Sequence, residues 1–244
     1  MLAAGQGASV RYAARALKGK TKALFLEVPD LLLSDELTQL RGIAANARFQ
    51  DGKITNPHNQ TKNNLQIDYA DQGYQQSSAM ALAALMRSDA FRNFAFPRKI
   101  APPLMSRYEP GMTYGAHADA PLMVNQGQPL RSDLSCTIFL EDPSAYEGGE
   151  LVIYLGTRPC AFKGKPGSAI VYPSTTLHEV VPVRQGHRLV LITFIQSQIR
   201  DQAQREILWS IGEVSALEGL TMQFENRMRL EHARSNLMRM WLET

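Results

Sequence analysis

Between residues 101 and 198 the chain repeats one pattern: short runs rich in β-branched and aromatic residues, broken by proline and glycine turns. No helix-length segment separates the runs. The pattern predicts strands at 103–108, 114–119, 133–141, 149–154, 168–172, 177–183 and 188–196. Strands that follow one another so closely pair antiparallel, because a parallel neighbour needs a long crossover. An antiparallel sandwich or barrel follows. The specific expectation is a mainly β fold with flanking helices, built on a double-stranded β-helix, or jelly roll.

The flanks read differently. A basic N-terminal arm spans residues 1–22, with Arg11, Arg15, Lys18 and Lys20 and no acid near them. The jelly-roll domain with its N-terminal helices spans 23–198. Within it, Ala23–Val28 is strand-like. Ser34 is placed to cap a helix running to Ala47, with Asp35 and Glu36 favourable to its dipole. Ser77 is placed to cap a second helix through Met80, Leu82, Leu85 and Met86. A C-terminal segment, 199–244, holds two helices broken near Gly219. Ile199, Ala203, Ile207, Ile211, Val214 and Leu217 keep a helical period, as do Phe224, Met228, Leu237 and Trp241. Those faces pack on the barrel or join a homodimer.

Composition excludes little but bounds the partners. Net charge is +3, which points to neither a nucleic acid nor a membrane as partner. No apolar run approaches the ~20 residues of a membrane span. Cys136 and Cys160 belong to no metal-binding or redox pair and read as free thiols, which fits a reducing cytoplasm.

Chemistry concentrates in RYEPGMTYGAHADAPLM, residues 107–123. His117 and Asp119 are two apart, so a strand would point both to one face. His-x-Asp alone is common; a third ligand is needed. His178, in IVYPSTTLHEVVPV, opens an apolar strand that an antiparallel barrel can bring alongside. Two histidines and one carboxylate on one face suit a non-haem Fe(II) centre. Zinc is the chemical competitor. His58, His187 and His232 lie in polar or charged surroundings and read as surface residues.

Arg188 comes ten residues after His178 and opens the apolar strand RLVLITF. A guanidinium there must meet an anion, and its planar fork matches a carboxylate. That anion is the distal carboxylate of 2-oxoglutarate or a local acid such as Glu179. Tyr108, Tyr114, Ser135 and Thr137 add hydroxyls. Ser135 and Thr137 share one strand face, and each either bonds the cosubstrate or serves packing. Asn63, Asn64, Gln66 and Tyr69 are candidates for a polar pocket rim, and Asn125 and Arg131 for a lid.

Four stretches together carry a resemblance. They are KNNLQID at 62–68, PPLMSRYEPGMTYGAHAD at 102–119, RSDLSCTIFLEDPSAYEGGELVIY at 131–154, and YPSTTLHEVVPVRQGHRLVLITFIQSQIRD at 172–201. The sequence resembles the bacterial PKHD-type hydroxylases, relatives of the prolyl 4-hydroxylases, over about residues 23–210. The resemblance implies a jelly roll with Fe(II) on His117, Asp119 and His178 and 2-oxoglutarate on Arg188; Tyr108, Ser135 and Thr137 stay candidate cosubstrate contacts from their hydroxyls alone. It implies O2 as oxidant, ascorbate as auxiliary reductant, and release of succinate and CO2 as a peptide, amino acid or small molecule is hydroxylated. A carboxylate at 119 fills the position that a halide needs in related halogenases. The alternative from another class is a cupin-like metal-binding or sensing module without turnover. A zinc hydrolase lacks an evident general base beside the ligands.

Overall fold

The computed structural model describes residues 24–56, 59–125 and 127–243. The basic arm and His58 lie outside the described residues, and so does the side chain of Asn125. One sheet runs, in spatial order, through β1 (Leu26–Val28), β14 (Ala169–Pro173), β10 (Leu134–Phe139), β17 (Arg188–Ser197), β6 (Leu104–Tyr108), β4 (Leu65–Ile67) and β2 (Phe49–Asp51). β5 (Pro97–Ile100) adds to the far half of β17. The second sheet runs β13 (Arg158–Phe162), β12 (Leu151–Leu155), β15 (His178–Val180), β7 (Thr113–His117) and β3 (Lys62–Asn63). Two ribbons complete it: β8 (Leu122–Asn125) with β9 (Gln128–Arg131), and β11 (Glu147–Gly148) with β16 (Val183–Gln185). All these pairings are antiparallel, and the fold is the expected jelly roll.

Period-two alternation assigns the two faces of the larger sheet. Leu134, Cys136 and Ile138 of β10, Ala169 and Val171 of β14, and Leu189 and Leu191 of β17 belong to the larger apolar core. That core also takes in α1 (Ser34–Asn46) through Leu40 and Ala44, α2 (Gln72–Arg87) through Ala81, Ala84 and Leu85, and α3 (Asp89–Ala95) through Phe91 and Phe94. The alternate residues point into the barrel. Its closed end is filled by Phe139, Leu151, Ile153, Ile170, Tyr172 and Val190. Ser135, Thr137 and Arg188 take the same inward parity. A sheet covered on both faces explains why β10 and β14 are buried at every position.

Helix boundaries differ from the sequence expectation where a better cap exists. α1 begins with Ser34 inside it; the Leu33 backbone N–H donates to Glu36 Oε2 at 2.8 Å. α2 starts well before Ser77, because Asp71 caps it by accepting from Gly73 N at 2.8 Å. Ser77 is fully buried mid-helix and donates to the Tyr74 carbonyl. The 177–183 run divides at Pro182, which has no N–H for a ladder. The β8–β9 ribbon, β13 and α3 were not expected, since their apolar signals are short.

Two C-terminal helices follow, α4 (Gln202–Glu218) and α5 (Phe224–Trp241). The face of α4 that packs is Arg205, Leu208 and Trp209, with Trp209 edge-on to Phe94 at 6.1 Å. Ile207, Val214 and Leu217, expected to pack on the barrel or to join a homodimer, are exposed. The helix starts at its Asp201 cap, and its contact with Phe94 and Phe96 sets the phase. α5 leans on that cluster through Leu237, Met238 and Trp241.

Gly148 bridges the β11–β16 ribbon at φ +73°, and a Cβ there would lie 2.1 Å from the Pro182 carbonyl oxygen. Gly148→Ala is expected to lose at least the about 1–2 kcal/mol of a left-handed backbone. A thermal scan should show a midpoint about 2–8 °C lower. An unchanged midpoint would mean that the ribbon yields freely.

Candidate metal centre

β15 and β7 are neighbours, and their register sets His178 opposite His117. The next aligned pair is Val180 with Tyr114, so three residues of β7 span two of β15. This bulge turns Tyr114 and His117 to the same side. Their rings stack at 3.7 Å between centroids with 17° between planes. β7 ends at His117, so Asp119 reaches the cluster from just beyond the strand rather than by strand alternation.

The three side chains converge. One ligand atom from each of His117, Asp119 and His178 lies within 4.8 Å of the others. Asp119 Oδ1 is 3.9 Å from His117 Nε2, and Asp119 Oδ2 is 3.7 Å from His178 Nε2. Both imidazoles are oriented from behind. His117 Nδ1 bonds the Gly115 carbonyl at 2.8 Å, and His178 Nδ1 bonds the Thr176 carbonyl at 3.0 Å. A carbonyl only accepts, so each Nδ1 carries the proton and each Nε2 offers a lone pair to the cluster. Burial, and then the neighbouring His178, push His117 below the ordinary imidazole range, which keeps that ring neutral. Two imidazole Nε2 atoms and a carboxylate are a donor set for a divalent ion.

Ser135 faces the same spot from the larger sheet. Its Oγ donates to Asp119 Oδ2 at 2.5 Å and lies 2.7 Å from Ser174 Oγ. Thr137, next inward on β10, is buried. Tyr172 meets the His178 ring edge-on at 5.2 Å, and burial raises its phenol well above the usual range.

Arg188 enters the barrel from β17 opposite Tyr108 of β6. It is 1% exposed, and its Nε has no hydrogen-bond partner. Its guanidinium carbon sits 5.0 Å from the centre of the Tyr108 ring. Among the described residues no carboxylate lies within ion-pair distance of it. Glu179 is occupied elsewhere, accepting from the Tyr154 hydroxyl. Tyr108 is itself buried, which pushes its phenol to about 12. Gly149 is needed beside this cation: a Cβ there would lie 3.2 Å from Arg188 Cδ.

The remaining candidates fall elsewhere. His187 pairs with Glu141 at 3.3 Å, and His232 sits exposed on α5 beside Asn236. Asn64 and Gln66 are buried rather than on a rim. Tyr69 packs edge-on to Tyr74 at 5.0 Å. Arg131 is no free lid residue, since it bonds Asp133 at 2.7 Å and Glu243 at 2.9 Å. Sequence reasoning missed Ser174 and Lys62. Lys62 is buried on β3, donates to Thr55 Oγ1 and lies 5.3 Å from the Tyr114 ring centre. Burial lowers its ammonium to about 8 against the pull of Asp119. Both residues stand in the stretches that carry the resemblance, but nothing in their local pattern marks them.

Comparison with known proteins agrees with this geometry. Residues 103–196 match the 2OG-Fe(II) oxygenase superfamily. A PKHD-type hydroxylase of Sphingopyxis alaskensis is 50% identical over 211 residues, covering 86% of this chain and 96% of that protein. Another, from Thermosynechococcus vestitus, is 40% identical over 226 residues, 90% of this chain and all of that one. In fold, the chain is similar to a Pseudomonas putida prolyl-4-hydroxylase, with TM-score 0.53 at 18% identity over 77% of this chain and 98% of that one. With the jelly roll, the His-Asp-His cluster and these relatives in agreement, the chain belongs to the PKHD-type hydroxylases of the 2OG-Fe(II) oxygenase superfamily and is an Fe(II)- and 2-oxoglutarate-dependent dioxygenase.

Proposed function

We propose that the protein hydroxylates a peptide, an amino acid or another small molecule, with Fe(II) held by His117, Asp119 and His178 and 2-oxoglutarate held by Arg188. The observation that carries this reading is the unpaired guanidinium of Arg188, buried in the barrel that also holds the three ligands. Burying a cation is expensive unless an anion joins it. The distal carboxylate of the cosubstrate is a partner of the right shape. A sensor of metal alone would need no such cation, which weighs against the cupin-like alternative.

When bound, iron and cosubstrate supply an oxidation in which 2-oxoglutarate becomes succinate and CO2 and one oxygen atom enters the substrate. The residues supply placement. The Gly115 and Thr176 carbonyls hold the two imidazoles with Nε2 forward. Tyr114 covers His117, and the Tyr108 ring flanks Arg188. The apolar closed end of the barrel keeps bulk water from one side of the cluster.

Anaerobic mixing of the metal-free protein with Fe(II) and 2-oxoglutarate should give a weak visible charge-transfer absorption. A spectrum equal to the sum of the components would refute the proposal. A substrate panel followed by oxygen consumption and by mass gain of one oxygen atom would then find the substrate. Ascorbate belongs to the same proposal and should prolong turnover.

No helix among the described residues is long and apolar enough to cross a membrane. Cys136 and Cys160 are free, which supports a cytoplasmic setting as part of the proposal. A homodimer through the C-terminal helices is supported by exposed Leu217, Leu220, Phe224 and Met228. Light scattering that returns a monomer mass would end it.

A further inference from the structure

We infer that Ser135, backed by Ser174, is a positioning residue for Asp119: the pair holds the carboxylate in one orientation towards the two histidines. The inference rests on the ligand assignment proposed above and goes beyond it by naming what shapes one ligand. It also gives Ser135 a different task from contacting the cosubstrate.

The direction of the hydrogen bonds follows from proton counting. A carboxylate oxygen accepts. Ser135 has one hydroxyl proton, and its Oγ donates to Asp119 Oδ2 at 2.5 Å. Towards Ser174, 2.7 Å away, Ser135 then only accepts, and Ser174 must donate. The chain is therefore Ser174 to Ser135 to Asp119, with a proton on every link and none to spare for a cosubstrate oxygen at Ser135.

Both serines are held by the backbone. Ser135 is paired in register with Tyr172 on one side and Phe194 on the other, in the middle of the larger sheet. The Ser174 N–H donates to the Asp133 carbonyl at 3.1 Å. They are 2% and 3% exposed, so water does not compete for these bonds. Asp119, by contrast, lies past the end of β7 and has no ladder of its own. A ligand on irregular chain needs an external support, and Ser135 supplies it from a rigid strand.

The consequence is a carboxylate held in one orientation. Ser135 anchors Oδ2, while Oδ1 lies 3.9 Å from His117 Nε2 and Oδ2 lies 3.7 Å from His178 Nε2.

The test compares Ser135→Ala, Ser135→Thr, Ser174→Ala and Asp119→Ala for Co(II) and anaerobic Fe(II) binding by calorimetry. 2-Oxoglutarate affinity is measured separately at saturating metal. Ser135→Ala should weaken metal binding by about 10- to 100-fold, alter the visible Co(II) spectrum and leave 2-oxoglutarate affinity unchanged. Ser135→Thr keeps the hydroxyl and should bind like the wild type. Ser174→Ala should lose less than Ser135→Ala, and nothing further in the Ser135→Ala background. Metal affinity at the wild-type level in Ser135→Ala, or a loss confined to 2-oxoglutarate, overturns the inference. If Ser135→Ala does not fold, as judged by thermal unfolding of the metal-free forms, Ser174→Ala decides, and its unchanged metal affinity overturns the inference. Asp119→Ala separates the two readings. If it still binds metal, the ligand assignment fails; if it alone loses metal, only the role of the serines fails.

Discussion

Replacing His178 with alanine is expected to abolish substrate-dependent succinate formation, and Asp119→Ala should do the same. The size of the effect follows from the geometry. Three donor atoms lie within 4.8 Å of one another, and no fourth His, Cys, Asp or Glu joins the cluster among the described residues. With one removed, two remain to hold a divalent ion that favours several more ligands. Losing a partner that only orients a ligand costs about 10- to 100-fold in metal affinity or activity. Losing the ligand itself must cost more, so turnover should fall beyond about 100-fold. The fold should survive. His178 lies between β12 and β7, and its ring contacts are with His117 and Tyr172. The measurement is succinate formation together with far-UV circular dichroism. Full turnover in both variants would refute the ligand assignment.

How legible this site was in the sequence depends on the kind of signal. The central strands of the larger sheet were readable because they are buried along most of their length and rich in apolar residues, as in LSCTIF of β10 and RLVLITF of β17, whereas the short, partly exposed β2, β4 and β5 were not. His117, Asp119, His178 and Arg188 stood out because a polar group inside such runs needs a reason. The bulge that turns Tyr114 towards His117 was invisible, since it arises from a register shift between two strands distant in sequence. Ser174 was invisible for a related reason: a serine in a turn is ordinary, and only the pairing of β10 with β14 brings it to Ser135. The caps of α1 and α2 were misplaced because several residues there could cap equally well by type. What selected Asp71 over Ser77 is packing, since Tyr74, Ala81, Ala84 and Leu85 all lie against the sheet. Which face of α4 packs on the domain was not legible because apolar residues lie on several sides of it; contact with Phe94 chose Leu208 and Trp209.

Arg188 offers the second large effect, and its sign separates two explanations of a buried arginine. If the residue were part of a structural ion pair, neutralising it would strand a buried acid and cost about 3–5 kcal/mol of stability. No such acid lies within ion-pair distance among the described residues, and Nε is without a hydrogen-bond partner. The free protein therefore bears the desolvation of a lone cation, softened only by the Tyr108 ring at 5.0 Å. Arg188→Met, which keeps much of the volume, is then expected to leave the metal-free protein as stable as the wild type or more so, by a rise of about 1–4 kcal/mol at most. The same substitution should ruin cosubstrate binding, because the distal carboxylate would be buried with no partner. A loss of about 3–5 kcal/mol corresponds to a roughly 100- to 1000-fold or greater rise in the 2-oxoglutarate concentration required. Arg188→Lys should fall between, since an ammonium restores the charge without the two-pronged geometry. Thermal unfolding and 2-oxoglutarate titration on the same preparations give both numbers. A destabilised protein with unchanged cosubstrate affinity would reverse the assignment, making Arg188 a structural cation. Stability retained while 2-oxoglutarate affinity collapses is the signature of a charge kept in the barrel for a ligand.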